Sequence, residues 1–448
     1  AGRLGYLTVR SDVRAASVDV QEGDLGSVTI GGSLFGGDTA NAGEISATGS
    51  VGPVIIKGDV IGSTGVWSGS ISSGGALAGL TIGGSLRGGA GAASGRILGQ
   101  GSVGPVRVGH DVAGAAGQDS GSIQAKGLLA GVTVGGSVTG GSGEDAGTIA
   151  SGGAAGFVTI RGDLAGAGGE ESGNVFSAGN LSRITVGGSV TGGTSRFSGR
   201  IEAMGDVGTV AIGRDLVGGR ASGAASLYET GIIRARRIAR LTLGGSLVAG
   251  TDNSTGDYFA NGGIQVVNDI GTLAIRGSIL GDPDHPAFIL ARGSAAPTAT
   301  ADIAIGRLTV RGRVEFAQIV AGVDPFGLGP DADAQIGAVS VGGDWIASSL
   351  AAGAVAGRDG FFGDADDAKA TGSQAKDDPR LVSAIVRVTI GGQIVGTPNG
   401  GDHFGIVAEA VRAVSVAGDR LPLIPGPHND DFPTGNTRDF TVRELPGP

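Results

Sequence analysis

The chain has 448 residues, of which 93 are glycine and none is cysteine, and its formal net charge is −10. A chain without cysteine has no disulfides, no thiolate metal site and no thiolate nucleophile. The negative charge argues against a nucleic-acid groove and against an anionic membrane surface as partners. No segment approaches the run of roughly 18 apolar residues that a membrane-spanning helix needs.

Glycine makes up about one fifth of the chain, without the Gly-X-Y period of collagen and with only 15 prolines. This composition indicates a fold that turns very often. Val, Ile and Leu alternate with other residues between the glycines, so enough apolar surface is available to offset the entropy of ordering the chain. The composition therefore argues against disorder.

Short strands with an apolar-x-apolar pattern recur along the chain. After a first copy at Leu7, they begin 26 residues apart at Val28, Val54, Leu80, Val106, Val132, Val158, Ile184 and Val210. The spacing widens at Leu241, Leu273, Leu308, Val339 and Val388, and returns to 26 for Val414 and Phe440. The period of two predicts strands with one buried face.

A second apolar column keeps the same period at Ile45, Ile71, Ile97, Ile123, Ile149, Val175 and Ile201. Gly-Gly, Gly-Asp and Ser-Gly pairs between the strands mark corners where φ is positive or where no Cβ fits. Each unit of 26 residues therefore closes one coil, and its strands return in parallel beside those of the preceding coil.

We predict an all-β fold: a single right-handed parallel β-helix (β-solenoid) of about 16 coils of 26 residues, with longer loop insertions in the C-terminal half. Residues 1–218 are expected to form a regular β-helix stalk. Residues 219–448 are expected to continue the β-helix with lateral loop insertions.

Coils alternate between two forms, so that the underlying unit has 52 residues. One form carries Gly-Gly-Ser, as at Ser33, and the next carries a basic residue and Asp, as at Lys57-Gly58-Asp59. Alternation keeps Asp from stacking on Asp and allows hydrogen bonds between Ser and Asp. Duplication of an ancestral pair of coils explains the alternation equally well.

The insertions first lengthen residues 219–231 and 250–262, and then change corner to residues 294–303, 323–335 and 354–384. Because the last three belong to consecutive coils, we expect them to lie one above another and to form a lateral patch. Long loops on a repeat scaffold are often functional.

This patch is rich in aspartate, which supplies the hard oxygen ligands that calcium prefers. We therefore consider a calcium site formed by Asp359, Asp364, Asp366, Asp367, Asp331 and Asp333. The alternative is a solvated acidic surface without a ligand. Calcium is the only cofactor that the sequence suggests.

No catalytic constellation emerges from the spacing. Asp59, Asp111, Asp163 and Asp215 form a regular repeat column, and the four histidines lie far apart in the sequence. We therefore expect no enzymatic activity. The alternative is a polysaccharide-binding or polysaccharide-cleaving β-helix, comparable with pectate-lyase-like and polygalacturonase-like proteins.

A second alternative is an ice-binding solenoid, because outward threonines recur at one strand position. They are Thr29, Thr81, Thr133, Thr159, Thr185, Thr242, Thr309 and Thr389. The column is interrupted at Ile55, Arg107 and Ala211, and a β-branched ladder that supports the sheet explains it as well.

The repeated coil, as in Val28-Thr29-Ile30-Gly31-Gly32-Ser33-Leu34, resembles secreted bacterial β-solenoid repeat proteins of the surface-layer, adhesin or filament kind. The resemblance covers the whole chain and implies an extracellular or cell-surface structural and adhesive protein. The two ends show no polar capping element, so the expected partners are another copy joined end to end, in a fibre or larger array, or a cell-surface glycan. Nucleic-acid binding and membrane insertion are not expected.

Overall fold

A computed structural model describes residues 3–371, 375–397 and 401–446. These residues form strands, turns and bends without a helix, so none of them belongs to a helix that crosses a membrane. The chain divides into unit 1, which contains Ala1–Arg234 and Gly250–Asn261, and unit 2, which contains Ala235–Ala249 and Gly262–Pro448. In both units, strands pair in parallel with strands one coil away, which confirms the predicted all-β parallel β-helix.

Unit 1 contains three ladders of parallel strands. The first ladder consists of Leu4–Val9, Leu25–Ile30, Val51–Ile56, Leu77–Ile82, Val106–Val108, Leu129–Val134, Ala155–Ile160, Leu181–Val186 and the last part of Ile201–Ile212. The second consists of Val13–Arg14, Leu34–Phe35, Val60–Ile61, Leu86–Arg87, Val112–Ala113, Val138–Thr139, Leu164–Ala165, Val190–Thr191 and Leu216–Val217. The third consists of Val18–Val20, Ile45–Ala47, Ile71–Ser73, Ile97–Gly99, Ile123–Ala125, Ile149–Ser151, Val175–Ser177 and the first part of Ile201–Ile212.

Equivalent residues of unit 1 pair one 26-residue coil apart, as the period predicts. Val28 pairs with Val54 in the first ladder and Ile45 pairs with Ile71 in the third. All four side chains are at most 1% exposed. Burying each of them contributes about 1.5–3 kcal/mol, and because every coil packs on the same columns, the stability of unit 1 approximates a nearest-neighbour sum.

From the second coil onward, the coils of unit 1 turn at a corner that has two left-handed residues, beginning with Asn41 and Gly43. In one coil Trp67 has φ 60° and Gly69 has φ 62°. A Cβ on Gly69 would overlap the carbonyl oxygen of Ile61, so this position requires glycine. The buried Ser68 lies between them, and its Oγ accepts the backbone N–H of Ser63 at 2.9 Å. The Ser-Gly pairs therefore mark corners with positive φ, as predicted.

The insertions at 219–231 and 250–261 stack on each other within unit 1. Arg220–Gly223 pairs in parallel with Thr251–Ser254, and Leu227–Tyr228 pairs in parallel with Tyr258–Phe259. The inserted residues therefore extend the ladder architecture sideways.

Unit 2 keeps the three ladders with wider spacing. The first consists of Ile232–Leu243 from Ala235 onward, Ile270–Ile275, Ile303–Val310, Gln335–Val341, Ala384–Ile390, Ala410–Val411 and Val414–Val416. The second consists of Leu247–Val248, Ile279–Leu280, Val314–Glu315, Trp345–Ile346 and Ile394–Val395. The third consists of Gly263–Val266, Ala287–Ala291, Ala317–Ala321, Ser349–Ala352, Phe404–Ala408 and Phe440–Glu444, and the remaining strands are Ala354–Val355, Ala368–Lys369, Asp419–Arg420 and Asp431–Thr434.

The last coil of unit 2 is capped, contrary to the expectation of two uncapped ends. Asp419–Arg420 folds back antiparallel on Val414–Val416, and Asp431–Thr434 pairs antiparallel with Phe440–Glu444. The backbone N–H of Gly396 donates to Thr437 Oγ1 at 2.9 Å, which covers the second ladder. The antiparallel strands occupy the edge at which another coil would pair.

Phe440 also belongs to a different ladder from the one predicted. It pairs with Phe404 in the third ladder and does not stack on Val414. The first coil of unit 1 is more open, because Leu4 is 38% exposed and Tyr6 is 75% exposed. End-to-end association stays a prediction, and at the C-terminal coil antiparallel strands lie where the parallel strands of another coil would pair.

Candidate functional site

The insertion loops 294–303, 323–335 and 354–384 contact one another, although residues 372–374 lie outside the described part of the chain. Ala332 donates its backbone N–H to the carbonyl oxygen of Lys376 at 2.8 Å, and Lys376 donates to that of Pro330 at 2.9 Å. The Lys376 ammonium contacts the carboxylate of Asp302 and lies 3.4 Å from Asp331 Oδ2. One lysine thus links all three loops.

Of the predicted calcium ligands, Asp331 contacts this lysine, and Asp333 donates its backbone N–H to Asp331 Oδ1 at 3.1 Å. Asp302 and Asp333 are fully buried and Asp331 is nearly so. Burial raises the pKa of Asp331 to about 7, with a further contribution from the charge of Asp333, while the N–H that Asp333 donates to it acts in the opposite direction. Burial also raises the pKa of Asp333 and lowers the pKa of Lys376. The ammonium occupies the position between carboxylates that a cation would take.

Asp359, Asp364 and Asp366 form a separate group in the last loop. Their carboxylate oxygens lie within 4.8 Å of one another. Burial and a hydrogen bond with Asp366 raise the pKa of Asp364, whereas the same bond and the N–H of Arg358 lower the pKa of Asp366. A shared proton between two carboxylates explains this arrangement without an ion.

Asp367 does not join that group. It is 4% exposed, its Oδ2 accepts the N–H of Gly363 at 2.7 Å, and burial raises its pKa to about 7. Of the six predicted ligands, the structure thus brings Asp359, Asp364 and Asp366 together among the described residues. The calcium site stays a prediction.

A polar concavity that could not be predicted from the sequence lies on the lateral face of unit 1. This lateral cleft has a volume of about 380 Å³ and opens over the third ladder between residues 19 and 100. The buried Leu98 forms part of its lining, together with the indole of Trp67 and the carboxylates of Asp19 and Glu44. An aromatic ring and two carboxylates therefore face one open cavity.

Hydroxyl groups orient the two carboxylates of the lateral cleft. Ser46 Oγ donates to Asp19 Oδ1 at 2.9 Å, and Ser72 Oγ donates to Glu44 Oε1 at 3.1 Å. Burial raises the pKa of Glu44, the bond from Ser72 opposes this shift, and the charge of Asp19 adds to it. Strands of the third ladder carry these residues one coil apart, because Asp19 pairs with Ser46 and Ser46 with Ser72.

Trp67 is held in an unfavourable backbone conformation at the rim of the lateral cleft. Its φ of 60° is rare for a bulky side chain, and Gly or Asn would adopt it at lower cost. The guanidinium of Arg96 lies 5.1 Å from the ring centroid and covers the ring. Arg96 is itself fixed by hydrogen bonds to Gln124 Oε1 at 2.6 Å and Asp119 Oδ2 at 3.3 Å.

The residue at the left-handed corner changes from coil to coil. The equivalent positions, with φ between 54° and 61°, are Asn41, Trp67, Ala93, Asp119, Asp145, Glu171 and Phe197. Burial raises the pKa of Asp145 to about 6, and the charges of Glu171 and Asp119 add to the effect. We call these residues the corner column. A signal was present in the sequence, because Trp67 and Phe197 stand at a fixed distance before recurrent Ser-Gly pairs.

Comparisons with protein-family models, with curated proteins and with solved structures find no match to this chain.

Proposed function

We propose that this protein is an extracellular structural and adhesive β-solenoid, a cell-surface, surface-layer or filament-forming scaffold without catalytic activity. One contrast in unit 1 supports the proposal. In the interior columns, aliphatic side chains such as Val and Ile pair with equivalent residues of the next coil. In the corner column, the residue varies among polar, acidic and aromatic types. A regular scaffold that presents a variable lateral surface suits recognition of a partner.

Localisation and adhesion are testable with the whole chain. Antibodies against the protein are expected to label intact, unpermeabilised cells of the source organism. Beads coated with the protein are expected to adhere to those cells, and beads coated with heat-unfolded protein are the control. Labelling that requires permeabilisation contradicts the proposal, as does equal adhesion of the control beads.

A second candidate function is polysaccharide cleavage, favoured by the carboxylates of Asp119, Asp145 and Glu171 on consecutive coils. Adjacent coils of a parallel sheet lie about 4.8 Å apart, which is close to the roughly 5–5.5 Å that separates the carboxyl groups of retaining glycosidases. Release of reducing ends from neutral polysaccharides, lost in Asp145→Asn, supports this function. Absence of release from a broad panel of polysaccharides contradicts it.

A further inference from the structure

We propose that the lateral cleft of unit 1 is a binding site for a neutral glycan, with Trp67 as its stacking platform. This inference rests on the proposed adhesive function and names the chemical class of the partner. It concerns the regular half of the chain, whereas the acidic insertion loops belong to unit 2.

The backbone of Trp67 is in the left-handed region, with φ at 60°. An indole at φ 60° is retained where glycine or asparagine would fit at lower cost, and such strain is often kept at functional positions. Arg96 lies over the ring and restricts its motion. A fixed, half-buried indole offers a flat apolar surface against which the C–H groups of a pyranose ring pack.

Hydrogen-bonding groups lie beside Trp67 in the lining of the lateral cleft. Glu44 Oε2 has no hydrogen-bond partner among the described residues, while Oε1 is held by Ser72. Ionised carboxylates only accept hydrogen bonds, so they pair with the hydroxyl donors of a sugar. The exposed Gln100 adds an amide that both donates and accepts.

The charge of the lateral cleft limits the ligand class. Asp19 and Glu44 are acidic, and the described residues that line the cleft include no basic side chain. The neighbouring Arg96 is already paired with Asp119 at 3.3 Å, so uronates and sulfated glycans would be repelled. A quaternary ammonium ligand would need an aromatic cage, and Trp67 is a single ring on which Arg96 already lies. The volume of about 380 Å³ falls within the roughly 300–1,000 Å³ typical of small-ligand sites.

Tryptophan fluorescence provides a selective test, since the chain contains two tryptophans. Trp345 is fully buried in unit 2 and donates its Nε1–H to the carbonyl oxygen of Ser348 at 2.7 Å, so its emission serves as an internal reference. Purified protein is titrated with cellohexaose, mannohexaose and maltohexaose, and separately with trigalacturonate and choline. At least one neutral hexasaccharide is expected to shift the emission of Trp67 and to protect it from acrylamide quenching.

Calorimetry on variants separates recognition from folding. Trp67→Asn keeps a residue suited to the left-handed position and is expected to weaken binding by about tenfold or more, which is a loss of about 1.4 kcal/mol. Trp67→Phe retains a ring and is expected to restore most of the affinity. Phe197→Asn is the matched control, because Phe197 occupies the equivalent corner and carries Arg200 at 5.0 Å from its ring; its affinity should equal that of the wild type.

Three results overturn the inference: no neutral hexasaccharide binds, Trp67→Asn binds as well as the wild type, or trigalacturonate or choline binds more tightly than every neutral sugar. Cell adhesion is measured in parallel with the same variants. Adhesion that is unchanged in Trp67→Asn leaves the adhesive function intact and removes the glycan site. Glycan binding without adhesion to cells leaves the glycan site intact and removes the adhesive function.

Discussion

The carboxylate Oδ1 of Asp59 accepts the backbone N–H of Ser85, one coil later, at 2.7 Å. Toward the preceding coil, Asp59 is the donor: its backbone N–H donates to the side-chain oxygen Oγ of Ser33 at 3.0 Å. The alternating Ser and Asp side chains therefore form a column of hydrogen bonds to backbone donors. The predicted bonds between Ser and Asp are present, but they join side chain to main chain.

The same column explains where glycine is required. A Cβ on Gly84 would overlap Asp59 Oδ1, and a Cβ on Gly58 would overlap Ser33 Oγ. In one Asp-type coil, His110 stands at the position equivalent to Gly58. The bond from the N–H of the next residue, Asp111, to Ser85 Oγ is longer there, at 3.4 Å. The hydroxyl of Ser33 can rotate away from an added Cβ. The carboxylate of Asp59 is held by a backbone N–H, so moving it costs more.

We expect Gly84→Ala to lower the free energy of unfolding by about 1–3 kcal/mol, because the carboxylate of Asp59 loses its backbone donor. Gly58→Ala is the matched comparison and should cost less, since only a hydroxyl is displaced. Urea denaturation followed by circular dichroism measures both. Equal losses in the two variants would contradict the explanation.

Removal of the Lys376 ammonium is expected to loosen the insertion loops. Lys376→Met leaves the buried carboxylates of Asp302 and Asp331 without their cation, which costs about 1–3 kcal/mol for an unpaired buried polar group. Hydrogen exchange of residues 329–335 is expected to accelerate in this variant.

A control and a rescue accompany that variant. Arg380→Ala removes an exposed ion pair with Asp378 and should leave the exchange of residues 329–335 unchanged. Adding Asp302→Asn and Asp331→Asn to Lys376→Met should restore slow exchange. Fast exchange in the triple variant would show that the lysine acts through packing and not through charge.

The stability of unit 1 is expected to fall as the pH rises from about 4 to about 7. The pKa of Asp145 is raised to about 6, so the folded protein retains the proton of this group more tightly than the unfolded chain does. Its contribution is complete below the unfolded pKa of about 3.9 and is lost as the pH passes through about 6. Asp145→Asn should flatten this part of the profile.

Urea midpoints at several pH values measure that effect. Glu22→Gln removes an exposed carboxylate elsewhere in unit 1 and serves as the control. If Asp145→Asn and Glu22→Gln change the pH profile equally, the repulsion within the corner column does not determine it.

The antiparallel cap predicts that the chain forms no long fibres through its C-terminal coil. Removing residues 418–446 should expose the edges of Val414–Val416 and Phe404–Ala408 and promote association through parallel edges. Analytical ultracentrifugation of both forms tests this, with circular dichroism to verify that the shortened chain retains its strands. Association of the full chain through its C-terminal coil, or a shortened chain that stays monomeric, would contradict the prediction.

The fold class was predictable because each apolar column repeats in register, so that pairs such as Ile45 and Ile71 follow from spacing alone. The cap was not predictable, because Phe440-Thr441-Val442 alternates apolar and polar residues in the same way as a repeat strand. Only its pairing with Phe404 distinguishes this strand from those of the first ladder. The position of Lys376 beside Asp302 and Asp331 could not be predicted, because it joins residues that are distant in the sequence. Trp67 was overlooked because a corner has no amphipathic pattern.

Because Ser-type and Asp-type coils alternate in unit 1, the column repeats every two coils and not every coil. Loss of one Ser-type coil, or gain of one Asp-type coil, within unit 1 would bring two aspartates to neighbouring positions, with like charges about 4.8 Å apart. Two serines tolerate this better, as the bond from the N–H of Ser278 to Ser246 Oγ at 3.1 Å in unit 2 demonstrates. Lengthening or shortening of the array by two coils should therefore preserve the column, whereas a change of one coil should succeed where it joins two serines and fail where it joins two aspartates.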